Sequence, residues 1–124
     1  MDVQLALIMF DALSQQTRLE AFRLLVKAGL EGVPAGVLGE KLGTPHNTLS
    51  FHLGHLANAG LVSFRKQGRQ VIYSANFEAT NELISFMVED CCSQEFANLR
   101  RDEKKGCSII ELSDCCPPGK SKRT

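Results

Sequence analysis

The 124-residue sequence lacks the features of a membrane, secreted or strongly charged protein. Its longest apolar run, residues 5–10, is far shorter than the ~18–20 residues that a membrane span needs. Asp2 stands where a signal peptide would carry a lysine or arginine. Basic residues number 14 and acidic residues 14, so no overall charge points to nucleic acid. We therefore expect a cytoplasmic protein with no membrane partner.

Cysteine is absent before residue 91 and then occurs five times. The cysteines are Cys91, Cys92, Cys107, Cys115 and Cys116. An odd count without an export signal argues against a disulfide framework, and adjacent cysteines bridge each other poorly. In a reducing compartment such thiols are candidates for soft-metal binding or redox chemistry. No constellation of catalytic residues is apparent, so we expect no enzymatic activity.

Apolar periodicity and glycine positions predict five helices and one β-hairpin. The helices are expected over residues 3–13, from Ser14 or Thr17 to about 28, 35–42, 45–58 and about 78–92. Thr44 is the predicted N-cap of the fourth helix and Pro45 its first residue. Strand-forming runs at 61–65 and 70–74 flank Gly68.

The expected fold class is mainly α (α+β). It is a winged helix-turn-helix of about five helices with a two-stranded β-hairpin as the wing. Residues 1–96 form the predicted DNA-binding and dimerisation domain, and residues 97–124 form a flexible tail that contains cysteine.

The third and fourth helices, joined by a tight turn that contains Gly43, have the signature of a helix-turn-helix. Leucines 38, 42, 49, 53 and 56 supply the predicted core between them. Between residues 34 and 76 the only acidic residue is Glu40, so this stretch is locally basic. That concentration of charge disfavours the alternative of a small helical domain that does not bind DNA.

The opposite face of the fourth helix is predicted to meet base edges in the major groove, and the hairpin tip to grip phosphate. The candidate DNA-binding residues are His46, Asn47, Thr48, Ser50, Phe51 and His52 on the helix, and Arg65, Lys66 and Arg69 on the hairpin. His52 and His55 have i, i+3 spacing, but no third metal ligand stands nearby in the sequence.

Residues 50–62, followed by a glycine-centred hairpin that ends at Tyr73, resemble the ArsR (ArsR/SmtB) family of winged-helix repressors. Residues 13–19 and 22–25 match the start of that family's second helix, and the resemblance covers about residues 5–92. It implies a homodimer whose interface is formed by the first and last helices. Such a dimer binds an inverted repeat in operator DNA and leaves it when a metal or metalloid binds.

Three of the family's sensor sites are absent from this sequence. Residues 35–42 contain no cysteine, residues 77–99 contain no histidine, and the N-terminal segment contains no cysteine. One branch of the family senses arsenite through adjacent cysteines at the end of the last helix and a third cysteine downstream. Cys91, Cys92 and Cys107 resemble that arrangement.

As(III), with Sb(III) as the alternative, is a soft centre that three thiolates satisfy, and no obligatory cofactor is expected. The 14 residues between Cys92 and Cys107 are long enough to fold back, within one protomer or across the dimer. Cys107, Cys115 and Cys116 form a second possible ligand set.

The sequence therefore predicts a repressor that trivalent arsenic releases from DNA. Two alternatives stay open. One is a redox-sensing repressor on the same scaffold, with a disulfide such as Cys92–Cys107. The other is a soft-metal-binding protein in which DNA binding is vestigial.

Overall fold

The computed structural model describes residues 1–88. The elements are α1 (Val3–Leu13), α2 (Gln16–Ala28), a 3₁₀ turn (Gly29–Glu31), β1 (Val33–Pro34), α3 (Ala35–Leu42), α4 (His46–Asn58), β2 (Val62–Gln67), β3 (Gln70–Ala75) and α5 (Phe77–Met87). The chain divides between Thr80 and Asn81 into two units, of which the second is described as far as Val88. The predicted division at residue 96, the predicted end of the last helix and all five cysteines lie outside the described residues. Of the helices within residues 1–88, none is long and apolar enough to cross a membrane.

The predicted bounds of α1 are confirmed, but the predicted cap of α2 is wrong. The carboxylate of Asp2 accepts the backbone N–H of Leu5 at 2.8 Å and caps α1. At the start of α2 the cap is Gln15, whose side-chain oxygen accepts the N–H of Arg18 at 2.8 Å. The hydroxyl of Ser14 instead donates to a carbonyl of α1, and Thr17 lies inside α2.

The turn of the helix-turn-helix contains Gly43, as predicted. Gly43 has φ 63° and ψ 35°, a left-handed conformation that favours glycine. The N–H of Thr44 closes the end of α3 by donating to the carbonyl of Gly39 at 3.0 Å. α4 begins one residue later than predicted. Pro45 is extended and serves as the N-cap, while the hydroxyl of Thr44 donates to the carbonyl of Leu42.

The sheet has three strands rather than the predicted two. β2 and β3 form the predicted antiparallel hairpin, with Val62 opposite Ala75 and Gln67 opposite Gln70. β1 pairs with the other edge of β3, with Val33 opposite Tyr73, so the strand order is β1-β3-β2. A two-residue strand that contains a proline shows no alternating pattern, which is why the sequence did not reveal it.

Leucine supplies all of the largest fully buried side chains in the core of residues 1–80. The largest fully buried side chains are Leu25, Leu38, Leu49, Leu53, Leu56 and Leu61. Of the five leucines predicted to join the two helices, only Leu42 is half-buried rather than buried. Leu19 of α2 is 44% exposed.

Asn76 joins the sheet to the first turn of α5. Its side-chain amide donates to the carbonyl of Gly60 at 3.1 Å, and its side-chain oxygen accepts the N–H of Ala79 at 3.1 Å. Gly60 has φ 83°, and the N–H of Leu61 donates to the carbonyl of Leu56 to close α4. These bonds set the direction in which the chain leaves α4 and enters the hairpin.

Gly32 is the glycine that the sheet depends on most. It has φ 79° and ψ −172°, a region that is essentially restricted to glycine. A Cβ at this position would also collide with the carbonyl oxygen of Tyr73 on β3 and lie 3.1 Å from a methyl carbon of Ile72.

We expect Gly32→Ala to lower the free energy of unfolding by about 2–4 kcal/mol, because backbone strain of about 1–3 kcal/mol adds to the steric collision. Chemical denaturation followed by circular dichroism measures the change. Gly36→Ala is the matched control, because Gly36 lies in α3 with open space around it. That control should be neutral or stabilising by up to about 1 kcal/mol. Equal effects of the two substitutions would contradict the account of Gly32.

Candidate nucleic-acid interface

One face of α4 is exposed and mostly polar. His46, Asn47, Thr48 and Ser50 are exposed in the first turns of the helix, and Phe51 is 67% exposed. The opposite face packs into the core through Leu49, His52, Leu53 and Leu56. The structure therefore places five of the six helix residues that were predicted to contact DNA on one exposed surface, which we call the α4 face.

His52 does not lie on the α4 face, so its predicted exposure is wrong. It is buried, and it occupies the i+3 position from Leu49 and the i−4 position from Leu56. Its Nδ1 atom lies 3.3 Å from Nη1 of Arg18, which is itself only 8% exposed. The side chain of His52 thus fixes the rotation of α4 about its axis from the inner side.

Arg18 connects three helices through its guanidinium group. Its Nε donates to the carbonyl of Ala12 at 2.6 Å, and Nη2 approaches the carbonyl of Asp11 at 3.5 Å. These are carbonyls of the last turn of α1, which have no partners within that helix. The last turn of α1 contains no basic residue of its own, so Arg18 of α2 supplies the positive charge that the helix C-terminus favours.

The contact with Arg18 also determines the tautomer of His52. An arginine side chain has only donors, so Nδ1 of His52 must be the acceptor in this hydrogen bond. The proton of the neutral ring is then assigned to Nε2. Desolvation by burial, followed by the positive charge of Arg18 and the influence of His55, lowers the pKa of His52 from its ordinary value of 6.5.

His55 lies at the border between α4 and α1. Its Nε2 atom is 3.5 Å from a carboxylate oxygen of Asp11, and its side chain is part-exposed. The ring of Phe51 meets both histidine rings edge-on, with centroids 5.6 Å from His52 and 6.4 Å from His55. The aromatic ring of Phe51 therefore has defined neighbours on its inner side while most of its surface remains exposed.

The hairpin tip carries the predicted basic residues. Arg65, Lys66 and Arg69 are all exposed, and Gly68 at the turn has φ 65°. Nη2 of Arg65 donates to the carbonyl of Glu31 at 3.1 Å, which ties β2 to the 3₁₀ turn. Arg65 thus combines a structural contact with its predicted role at the interface.

The predicted metal ligands Cys91, Cys92 and Cys107, and the second-ranked Cys115 and Cys116, lie outside the described residues. Within residues 1–88, no group of three histidine, cysteine, aspartate or glutamate side chains is arranged to hold a metal ion.

The sequence pattern does not single out Arg18, which lies within the segment of residues 13–19 that resembles the family. Two signals in the sequence could have found its contacts. One is the missing basic residue at the end of α1, directly before an arginine in the first turn of α2. The other is the position of His52 within the leucine stripe of α4, which indicates an inward direction.

We expect the melting temperature to fall as the pH is lowered through about 6.5. Because the folded state lowers the pKa of His52, the unfolded chain binds the proton more readily, and acid favours unfolding. The contribution of His52 is complete above its ordinary pKa and is lost as the pH falls toward the folded pKa. His52→Gln should flatten this part of the profile in thermal unfolding scans, whereas the exposed control His46→Gln should keep it. An identical pH profile in both variants would show that His52 is not responsible.

A protein-family model described as a helix-turn-helix domain matches residues 13–63. The sequence is 38% identical to YceK, an uncharacterized HTH-type transcriptional regulator of Bacillus subtilis (strain 168). The match extends over 68 residues, which are 55% of this chain and 67% of YceK.

Three solved structures have a similar fold. An ArsR-like transcriptional regulator from Rhodococcus sp. RHA1 is similar with a TM-score of 0.61 and 26% identity, over 82% of this chain and 92% of that chain. NolR from Sinorhizobium fredii is similar with a TM-score of 0.56 and 28% identity, over 69% and 83%. The homodimeric winged helix-turn-helix domain of Mb0332 from Mycobacterium bovis shares the fold at 21% identity and a TM-score of 0.59, over 75% and 84%. The predicted fold class is thus confirmed, and the chain belongs to the helix-turn-helix transcriptional regulators, with a fold similar to that of an ArsR-like regulator.

Proposed function

We propose that this protein is a transcriptional repressor that binds operator DNA as a homodimer and releases it when trivalent arsenic binds cysteine thiolates. The DNA-binding part of this proposal rests on the α4 face. Short polar side chains are exposed there, on the second helix of a helix-turn-helix. In this motif the second helix lies in the major groove with its N-terminal residues against base edges.

The chemistry of the α4 face and of the hairpin tip supports two kinds of DNA contact. The amide of Asn47 has the donor and acceptor that match adenine, and the hydroxyl of Ser50 serves bases or phosphates. Lys66 and Arg69, exposed at the hairpin tip, suit phosphate. The first kind of contact supplies sequence specificity, and the second supplies affinity that weakens as salt concentration rises.

Dimerisation is supported by the composition of α1, which is apolar on two faces. Ala6, Met9 and Ala12 are buried in the core of the same chain. Elsewhere on the same helix the side chains of Val3, Leu5, Leu7, Ile8 and Phe10 are exposed. An exposed apolar surface of this kind is typical of an interaction site, and a helix that is apolar all round is normally buried. A second copy of α1 is the occupant we propose. Dimerisation would present two α4 faces, which successive major grooves about 34 Å apart require.

The metalloid response is supported by the sequence of the C-terminal segment. Cys91, Cys92 and Cys107 resemble the thiolate set of an arsenite-sensing branch of the ArsR family. Thiolates are soft ligands and suit a soft centre such as As(III). Binding would draw these cysteines to one centre and, through the dimer, change the spacing of the two α4 faces.

We expect arsenite to weaken operator binding by about tenfold or more, within the range of allosteric coupling between two sites. Fluorescence anisotropy on duplexes from the gene's own upstream region measures this, with a phosphine as the reductant because dithiols bind arsenite themselves. Cys91→Ser, Cys92→Ser and Cys107→Ser should keep DNA affinity and lose the response. Cys115→Ser and Cys116→Ser are the matched controls and should still respond.

The other outcomes separate the alternatives. Release by peroxide but not by arsenite would identify a redox-sensing repressor. Arsenite binding without sequence-specific, salt-dependent DNA binding would identify a soft-metal-binding protein. Loss of the response only in the Cys107, Cys115 and Cys116 variants would move the site into the second ligand set.

We also expect Ile8→Glu to convert the dimer into a monomer, since it places a charge in the apolar surface of α1. Sedimentation velocity measures the oligomeric state directly. Leu30→Glu is the control, because Leu30 is 80% exposed on the 3₁₀ turn, away from α1 in the sequence. If the Ile8→Glu protein remains a dimer with unchanged DNA affinity, α1 does not form the dimer interface.

A further inference from the structure

Phe51 is an apolar residue on the polar α4 face. It is the sixth residue of α4, it is 67% exposed, and its neighbours on that face are Asn47, Thr48 and Ser50. Exposing a phenylalanine to this extent gains little for the fold, because most of the ring buries no surface. Its position instead suits contact with whatever α4 binds.

The major groove offers one apolar group to such a side chain. Base pairs display hydrogen-bond donors and acceptors there, and the C5-methyl group of thymine is the exception. We propose that Phe51 packs on thymine methyl groups and makes operator recognition depend on thymine at a defined position in each half-site. This inference rests on the proposed function, because it requires α4 to enter the major groove.

The neighbours of Phe51 hold its ring in a defined position. His52 meets the ring at an interplanar angle of 62°, and His55 meets it at 75°. His52 is in turn held from within by Arg18. A ring that is positioned before binding loses less conformational freedom when it contacts a base than a free side chain would.

The position of Asn47 limits how far the thymine can lie from the base pair that Asn47 contacts. Asn47 lies four residues before Phe51, one helical turn and about 6 Å along the helix axis. One base-pair step rises about 3.4 Å, so the two side chains address base pairs within about two steps of each other. We therefore expect the thymine that Phe51 contacts to lie within about two base pairs of the position that depends on Asn47.

The test begins with selection of bound duplexes from a random library by the full-length, reduced protein. In the selected duplex, each thymine is then replaced singly by deoxyuridine, which removes only the methyl group. Wild-type protein should lose about fourfold in affinity at one position per half-site, the value expected for one buried methyl-sized group. Fluorescence anisotropy measures each affinity.

The double-mutant cycle assigns the contact to Phe51. Phe51→Ala should bind the thymine duplex more weakly and show no further loss with deoxyuridine at that position. Phe64→Ala is the matched control. Phe64 is also an exposed aromatic residue, at 59%, but it lies on β2 against Tyr73. This control should keep the full deoxyuridine effect, and thermal unfolding confirms that both variants fold.

Two results would overturn the proposal in distinguishable ways. If selection yields a specific duplex but no deoxyuridine substitution weakens wild-type binding, or if Phe51→Ala remains equally sensitive, Phe51 does not contact a thymine methyl group and the DNA-binding function stands. If selection yields no preferred sequence, the proposed DNA-binding function fails, and the role of Phe51 fails with it.

Discussion

The arrangement of the helices depends on the hydrogen bonds of the buried guanidinium group of Arg18. A charge inside a core is stable only when hydrogen-bonding partners surround it. Arg18 finds them at the C-terminal carbonyls of α1 and at Nδ1 of His52 on α4, while its own backbone lies in α2. The side chain of Arg18 thus connects α1, which has the exposed apolar surface, to α4, which has the polar face. The neutral state of His52 belongs to the same arrangement, because a second positive charge beside Arg18 would be repelled.

The packing of α4 against that core determines which of its side chains remain exposed. Leucines and His52 occupy one side of α4, which leaves its other side for Asn47, Ser50 and Phe51. The hairpin is held against the 3₁₀ turn by Arg65 and by the close approach of Gly32 to β3. In the proposed function, α4 supplies sequence specificity, and the basic hairpin tip adds positive charge. A DNA-binding surface of this kind must hold its shape, because several small polar groups have to meet their partners on the DNA at the same time.

Sequence reasoning was most successful where the signal was local. The bounds of α1 and α3 agree with prediction to the residue, since a capping carboxylate, periodic apolar residues and Gly43 mark them within one or two turns. It was less accurate where neighbouring residues compete for one role. At α2 the cap is Gln15 rather than Ser14 or Thr17, and α4 begins after Pro45 rather than at it. The side chains of Ser14, Gln15 and Thr44 each bond to a nearby backbone group, and the choice of cap depends on how the preceding helix ends.

The sequence by itself determined the five helices, the hairpin, most of the leucine core and the basic stretch around the helix-turn-helix. Tertiary structure decided that His52 faces inward, that Arg18 is buried, and that Val33 and Pro34 form a third strand. The physical reason is the distance along the chain. Arg18 and His52 are 34 residues apart, and Val33 pairs with Tyr73. The free energy of such contacts arises only when the chain has folded, and no local pattern of residues contains it.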